Sequence, residues 1–105
     1  MGKTLWSVLT TDMDHCIYTG SAQVERHHVY GGPNKALSEQ YGFIAPLRYD
    51  LHPNGAHVGA QGPAVDEDLK KRCQEYYETH YGSREQFIKE FGRSFICIIA
   101  FLLVG

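Results

Sequence analysis

The chain has 105 residues and a mass of 11.9 kDa, which leaves room for one small domain. Because 43% of the residues are apolar and 21% are charged, a disordered chain and a collagen-like array are excluded as descriptions of the whole protein. The net charge of -2 excludes a basic nucleic-acid-binding arm. The charge is uneven: residues 1–68 carry four Lys or Arg against eight Asp or Glu, whereas residues 69–105 carry six Lys or Arg against four Asp or Glu.

Two short strands are predicted in the first half of the chain. Residues 23–30 contain β-branched and aromatic side chains and end at the Gly31-Gly32-Pro33 break, which is typical of a strand followed by a turn. Residues 43–47 predict a second strand, in which Pro46 indicates an edge or a strand end. Residues 48–64 are rich in Gly and Pro and predict a loop.

Three helices are predicted as well. A short helix over 35–41 lies between the strands, with Asn34 as its N-cap and Gly42 just past its end. A second helix is predicted to begin near Asp66, because three consecutive acids suit the positive end of a helix dipole. Its apolar face contains five residues at helical spacing: Leu69, Cys73, Tyr76, Tyr77 and Tyr81.

The last predicted helix begins at a capping box formed by Ser83 and Gln86 and ends at Gly92. Its inner face is predicted to contain Phe87, Ile88 and Phe91. We interpret the aromatic stripes of both C-terminal helices as core.

The C-terminal residues 95–105 are continuously apolar, yet they are only about half of the ~20 residues that a membrane helix needs. One interpretation is a buried terminal strand or an interface segment, and the other is a membrane-associated tail.

No signal peptide is expected, because Asp12 and Asp14 follow the N-terminal residues where an apolar run would stand. The three cysteines Cys16, Cys73 and Cys97 form no CxxC pair, which is typical of reduced thiols in a cytosolic protein.

Histidines are the most informative residues of the chain. His27, His28, His52 and His57 fall within 31 residues, and three of them stand beside turn residues. Neutral imidazoles are common ligands of divalent transition metals, and a free His near a metal can deprotonate water. If the strand ends at these residues, one of the adjacent pair can bind a metal while the other faces a substrate. The cluster predicts a metal-assisted hydrolase without distinguishing a nuclease from others.

The order of strand, His-His, Gly-rich turn, short helix, strand and loop histidines resembles the HNH, or ββα-metal, nucleases. More narrowly, the chain is similar to small HNH-like proteins encoded in bacteriophages and prophages, and distantly to the RecA-dependent nucleases. The resemblance covers roughly residues 5–95. It is carried by these segments: Cys16-x-x-Thr-Gly20, Glu25-Arg-His-His-Val-Tyr-Gly-Gly32, Asn34-Lys35, Ser38-Glu39-x-Tyr41-Gly42, Pro46-Leu47, His52, Gly55-Ala-His57, Lys70 to Gln74, Tyr81-Gly-Ser-Arg-Glu-x-Phe-Ile88 and Phe91-Gly-Arg93.

The resemblance implies an α+β fold: a small ββα-metal core with two short strands, followed by C-terminal helices. It implies one domain over 1–105, with the core over about 15–60, supporting helices over about 65–92 and the apolar tail over 94–105.

The resemblance also implies a role for individual residues. His28 corresponds to the general base of the HNH motif, and His27 corresponds to the metal ligand just before it. His52 and His57 correspond to the remaining ligands of one divalent ion, which is Zn, Ni, Mn or Mg. Candidate phosphate contacts and a supporting residue complete the predicted site: Arg26, Lys35 and Arg48 for phosphate, and Asn54 for support. For the basic run Lys70-Lys71-Arg72, phosphate contact and a solvated helix face are both open.

Two departures from the family pattern favour a weak or inactive enzyme. Many relatives carry two Cys-x-x-Cys knuckles that bind a structural zinc, whereas here Thr19, Arg48 and Leu51 stand where three of those cysteines would be. We therefore predict no structural zinc knuckle around Cys16. The middle Asn of the motif corresponds to about Phe43, and Asn54 or Asn34 is a candidate to replace it.

Three functions follow as hypotheses. The first is a metal-dependent endonuclease that acts on DNA in the bacterial cytoplasm, alone or with a recombinase filament or phage protein, and without a membrane. The second is a catalytically degenerate HNH-fold module that binds DNA or a phage protein. The third is a domain in which the metal only stabilises the fold, so that metal removal unfolds the protein. The oligomeric state stays open.

Overall fold

The computed structural model describes residues 4–51 and 61–96. Its elements follow in this order: β1 (Val24–His28), a 3-10 turn (Gly32–Asn34), α1 (Lys35–Tyr41), β2 (Ile44–Arg48), α2 (Gly62–His80) and α3 (Arg84–Phe91). The protein is therefore α+β, as predicted, and its described part contains one antiparallel two-stranded sheet and three helices. Within these residues, no helix combines the length and apolar character that crossing a membrane requires.

The two strands pair in a register that explains the position of Pro46. Pro46 lies opposite Arg26, and its carbonyl oxygen accepts a hydrogen bond from the Ile17 N–H at 3.1 Å, on the side away from β1. Because the N and C=O of one strand residue point to the same side, the nitrogen of Pro46 also faces away from β1. The missing N–H therefore removes no hydrogen bond from the ladder, as predicted for an edge position.

The aromatic core begins immediately after β1. Tyr30 is 2% exposed, and its ring contacts Phe91 at a centroid distance of 4.7 Å and Phe87 at 5.6 Å. Phe43, the residue just before β2, contacts the Tyr30 ring edge-on at 5.7 Å. Each such ring contributes about 1.5–3 kcal/mol by leaving water. The core thus lies directly beneath the end of β1 and couples it to α3.

The second predicted helix begins earlier than expected. The helix α2 starts at Gly62 and has Pro63 in its first turn, so the acids 66–68 lie in the second turn. Proline is tolerated in the first turn of a helix, because its φ suits a helix and its missing N–H would have no partner within the helix there. The face predicted for this helix is confirmed at Leu69, Cys73 and Tyr77, which are buried. Tyr76 is half-buried and packs against the core, whereas Tyr81 is 49% exposed and is not part of it.

The last helix confirms its predicted ends and corrects one core residue. Ser83 Oγ accepts from Gln86 N–H at 3.1 Å, and Gln86 Oε1 accepts from Ser83 N–H at 2.8 Å. Phe87 and Phe91 are buried four residues apart, but Ile88 is 38% exposed. One residue step turns a helix by about 100°, so Ile88 lies off the stripe that Phe87 and Phe91 define.

Gly42 ends α1 with φ +73°, and a Cβ built there would lie 2.6 Å from the Trp6 ring. We expect Gly42→Ala to cost the ~1–2 kcal/mol of a left-handed alanine and a further loss from displacing Trp6. Gly20, with φ +76° and no atom within 4 Å of the added Cβ, is the matched control. Urea unfolding should show a larger loss for Gly42→Ala than for Gly20→Ala. The difference in unfolding free energy between the two variants should vanish when Trp6 is also replaced by Ala. A difference that persists would contradict a clash between the added Cβ and the Trp6 ring.

Gln74 joins α2 to the segment after α3, although it is fully buried. Its Oε1 accepts from the Phe95 N–H at 2.6 Å, and its Nε2 donates to Ser94 Oγ at 2.9 Å and to Glu78 Oε2 at 2.8 Å. In the sequence, Gln74 is only a polar residue beside the apolar stripe of α2. No pattern within the helix predicts its contacts with Ser94 and Phe95, which lie 20 and 21 residues further along the chain.

We expect Gln74→Met to lower the free energy of unfolding by about 1–3 kcal/mol, because the Phe95 N–H loses its acceptor. Exchange of the Phe95 amide hydrogen, followed by NMR, should accelerate in the variant. Gln40→Met, at an exposed position of α1, makes the same chemical change away from this contact and should change little. Equal losses from both substitutions would show that the buried amide has no special role.

Candidate active site

The end of β1 places the two adjacent histidines on opposite faces of the sheet. His27 lies opposite Ala45 and His28 lies opposite Ile44, and residues directly opposite across the strands share a face. His27 is 3% exposed and lies on the face of the core residue Ala45. The His28 side chain is 18% exposed. The strand ends at His28, but the register keeps the two histidines on opposite faces, so the structure does not bring His27 and His28 to one side of the sheet.

Arg26 and Arg48 lie on the same sheet face as His28. Side chains alternate along a strand, so Arg26 shares a face with His28 two residues later. Arg48 lies opposite Val24, and Val24 is on the same face of β1 as Arg26 and His28. Lys35 is exposed at the first residue of α1. The backbone thus brings the predicted base and two of the three predicted phosphate contacts to one face.

Both arginines are already paired with carboxylates. Arg26 Nη2 lies 3.2 Å from Asp14 Oδ1, and both side chains are well exposed. Arg48 holds Asp50 with two hydrogen bonds, from Nε at 2.5 Å and from Nη2 at 2.8 Å. The hydrogen bond from Arg48 lowers the pKa of Asp50 below its ordinary value. A DNA phosphate would therefore have to compete with, or bridge beside, these carboxylates.

His28 has a partner that the sequence analysis did not assign. Its Nε2 lies 2.8 Å from Glu39 Oε2, and the two side chains are 18% and 21% exposed. Glu39 is on α1, eleven residues along the chain, so no local spacing rule links the two. The only sequence signal was its place within the Ser38-Glu39 segment that resembles the phage proteins.

A buried serine fixes α1 against the end of β1. Ser38 is fully buried, and its Oγ accepts from the Tyr30 N–H at 3.0 Å while donating to the Tyr30 carbonyl at 2.7 Å. The side chain therefore does for Tyr30 what a neighbouring strand would do. Because Glu39 follows Ser38 and His28 precedes Tyr30 by two residues, this two-way contact sets the distance between Glu39 and His28.

Two further contacts hold α1 from its other sides. The Tyr41 hydroxyl donates to the Glu90 carboxylate of α3 at 2.8 Å. Burial, followed by the hydrogen bond to Glu90, raises the pKa of Tyr41 to about 12, so this hydroxyl keeps its proton. Asn34 is the N-cap residue of α1, as predicted, but its side chain caps no backbone N–H of the helix, and its Nδ2 instead donates to the Phe91 carbonyl at 2.9 Å. The side-chain amide of Asn34, a candidate to replace the middle Asn of the HNH motif, is thus bonded to α3. Phe43, which the resemblance places at about the position of that Asn, is fully buried.

The predicted metal ligands are described only in part. His52, His57 and the supporting Asn54 lie outside the described residues, so His27 is the one predicted ligand whose place is known. Within 4–51 and 61–96, no three His, Cys, Asp or Glu side chains are grouped so as to hold a metal ion. His27 is an imidazole buried at a strand end, and none of the other predicted ligands falls within the described residues. The ligand set therefore stays a prediction.

The residues that the resemblance places at zinc-knuckle positions include Cys16, Thr19 and Leu51. Cys16 is 4% exposed and Leu51 is 7% exposed, and both belong to the apolar core. Burial raises the pKa of the Cys16 thiol, but hydrogen bonds from the Thr19 side chain and the Arg48 backbone outweigh it, so the pKa is lower than usual. The Thr19 side chain therefore contacts the Cys16 thiol directly.

The basic run of α2 is largely paired within its own helix. Lys70 Nζ lies 3.0 Å from Asp66 Oδ2, and Arg72 Nη1 lies 3.5 Å from Asp68 Oδ2, both one turn earlier. Such pairs contribute only a few tenths of a kcal/mol, about 0.3–0.5 each, and are typical of a solvated helix face. This favours the solvated interpretation over phosphate contact for these two residues.

Comparison of the chain with protein-family models, with curated proteins and with solved structures gives no match. The resemblance to HNH nucleases therefore stays an expectation carried by the segments quoted above. The described site consists of a His–Glu pair at a strand end, two arginines on the same face, and a buried His on the other face.

Proposed function

We propose that this protein is a metal-dependent endonuclease that hydrolyses DNA phosphodiester bonds, on a ββα-metal core formed by β1, β2 and the residues that follow. The observation that carries the proposal is the His28–Glu39 pair at 2.8 Å, on the sheet face that also bears Arg26 and Arg48. An imidazole held by a carboxylate and partly exposed is an arrangement that suits a general base.

The chain's own groups divide the work of hydrolysis. His28 takes a proton from the attacking water, and its imidazole is partly exposed, so water reaches it. Arg26 and Arg48 contact the phosphates on either side of the scissile bond and set the register of the strand. Lys35, exposed at the first residue of α1, is the third candidate for a phosphate contact.

A divalent ion would be held by His27 together with His52 and His57. When bound, it supplies positive charge to the developing and leaving oxygens of the phosphate. An imidazole set suits Zn, Ni or Mn, and Mg would be less usual with nitrogen ligands.

One observation favours the second candidate, a degenerate module that binds DNA or a protein without cutting. Arg26 and Arg48 are paired with Asp14 and Asp50, which weakens their attraction for phosphate. The nuclease is the stronger proposal, because a binding module has no need of a histidine held by a partly buried carboxylate.

The experiment that tests the proposal incubates the purified protein with supercoiled plasmid and with single-stranded DNA. Parallel reactions contain Mg, Mn, Ni or Zn, and each is repeated with EDTA. We expect nicked plasmid with at least one metal and none with EDTA. A folded protein that binds DNA but cuts under none of the metals overturns the nuclease and supports the binding module. A protein that unfolds with EDTA and never cuts supports a purely structural metal.

A further inference from the structure

We infer that Glu39 is a positioning residue that fixes the tautomer and the orientation of the His28 imidazole, so that Nδ1 is the nitrogen that acts as the base. This inference rests on the proposed nuclease function. Its evidence is the position of Glu39 on α1, the 2.8 Å contact to Nε2, and the burial that both side chains share.

The tautomer follows from the chemistry of the two groups. An ionised carboxylate only accepts hydrogen bonds, so with Glu39 ionised and His28 neutral the 2.8 Å contact between Nε2 and Oε2 puts the imidazole proton on Nε2. The lone pair is then on Nδ1, and the Nε2 side of the ring is occupied by Glu39. Which ring nitrogen is basic is therefore decided by the partner of the other nitrogen.

The contact is stronger than an ordinary surface pair. Both side chains are about four-fifths buried, so water screens the pair less than it screens the exposed pair of Asp12 and His15. The latter also has a 2.8 Å contact, between His15 Nδ1 and Asp12 Oδ2, but its side chains are 50% and 57% exposed. The chain thus contains one sheltered and one exposed His–carboxylate pair of the same length.

The backbone of α1 prevents Glu39 from moving away. Ser38 is bonded in both directions to Tyr30, so the next residue of α1 has a fixed position relative to β1. A positioning role requires this rigidity, because an imidazole held loosely spends little time in the orientation that abstracts a proton. Unlike the fully buried Ser38, Glu39 is not needed for folding, since its side chain is 21% exposed.

The test compares Glu39→Gln and Glu39→Asp with the wild type and with the control Asp12→Asn. Two-bond proton–nitrogen NMR spectra at alkaline pH report which imidazole nitrogen of His28 carries the proton. We expect the Nε2–H form in the wild type and a mixture in Glu39→Gln, because an amide can either donate to or accept from Nε2. Glu39→Asp should keep the Nε2–H form in part, and Asp12→Asn should leave His28 unchanged.

The kinetic arm measures nicking of plasmid at saturating metal. We expect Glu39→Gln to lower kcat about 10–100-fold, as loss of an orienting partner commonly does, while the KM for DNA and the affinity for the metal stay within about 2-fold. Glu39→Asp should recover part of the rate, and Asp12→Asn should nick at the wild-type rate.

The possible failures have different signatures. If the wild type nicks but Glu39→Gln keeps the tautomer and the rate, the Glu39 inference is wrong and the nuclease stands. If Glu39→Gln weakens metal binding and leaves the tautomer unchanged, Glu39 is a ligand and the positioning role is wrong. If the wild type does not nick under any metal, the nuclease proposal fails, and the catalytic role of Glu39 fails with it even where the tautomer effect is seen.

Discussion

Ser38→Ala should lower the free energy of unfolding by on the order of 3 kcal/mol, which is a large share of the stability of a domain of this size. The serine hydroxyl satisfies both the N–H and the C=O of Tyr30, which is 2% exposed. Each buried group left without a partner costs about 1–3 kcal/mol. Because alanine is the better helix former, the loss cannot come from helix propensity in α1.

The measurement is urea unfolding followed by circular dichroism, with the melting temperature as a second readout. The corresponding drop is on the order of 10–20 °C for a domain of about 100 residues. Ser21→Ala is the matched control, because Ser21 Oγ accepts from the Gln23 N–H at 3.1 Å in an exposed turn, where water replaces it. We expect a change of under about 0.5 kcal/mol there. Similar losses in both variants would contradict the special role of Ser38.

The parts of the fold that sequence alone predicted are those with local signals. The helix α1 begins and ends at the predicted residues because Gly42 takes a left-handed conformation at its end. The capping box of Ser83 and Gln86 was predicted for the same reason, since its two hydrogen bonds join residues three apart. The strands were predicted over 23–30 and 43–47 and lie at Val24–His28 and Ile44–Arg48, so their bounds differ by one or two residues.

The errors arose where a residue type has two opposite meanings. Gly62 and Pro63 were interpreted as loop punctuation, but proline in a first turn begins a helix, so α2 starts four residues before Asp66. Ile88 was assigned to the core because it is apolar, yet the stripe of Phe87 and Phe91 already fills that face. Composition identified the residues correctly, and the helix geometry decided which of them are buried.

The site was predicted in its residue types and only partly in its contacts. The face shared by His28, Arg26 and Arg48 follows from strand alternation and register, once the pairing of β1 with β2 is known. The partner of His28 could not be predicted, because Glu39 reaches it through the tertiary contact of Ser38 with Tyr30. The contributions of His52, His57 and Asn54 stay predictions, because these residues lie outside the described part of the chain.

His28→Ala should lower the rate of metal-dependent nicking by about 10²–10⁴-fold, the range that removal of a general base commonly produces. The variant should fold, because the His28 side chain is 18% exposed at the end of a strand and its replacement leaves the Ser38–Tyr30 contact in place. Metal affinity should hardly change, because His28 is not among the proposed ligands. His15→Ala, which removes an exposed histidine from the other His–carboxylate pair, should nick at the wild-type rate.

The ratio of initial nicking rates for the wild type and His28→Ala, on supercoiled plasmid with saturating metal, tests the central claim most directly. Both proteins are first shown to have the same circular dichroism spectrum and the same metal affinity. We predict a ratio of about 10² or more. Equal rates would show that His28 is not the base and that any cleavage has another origin, and would contradict the assignment of this face as the active site.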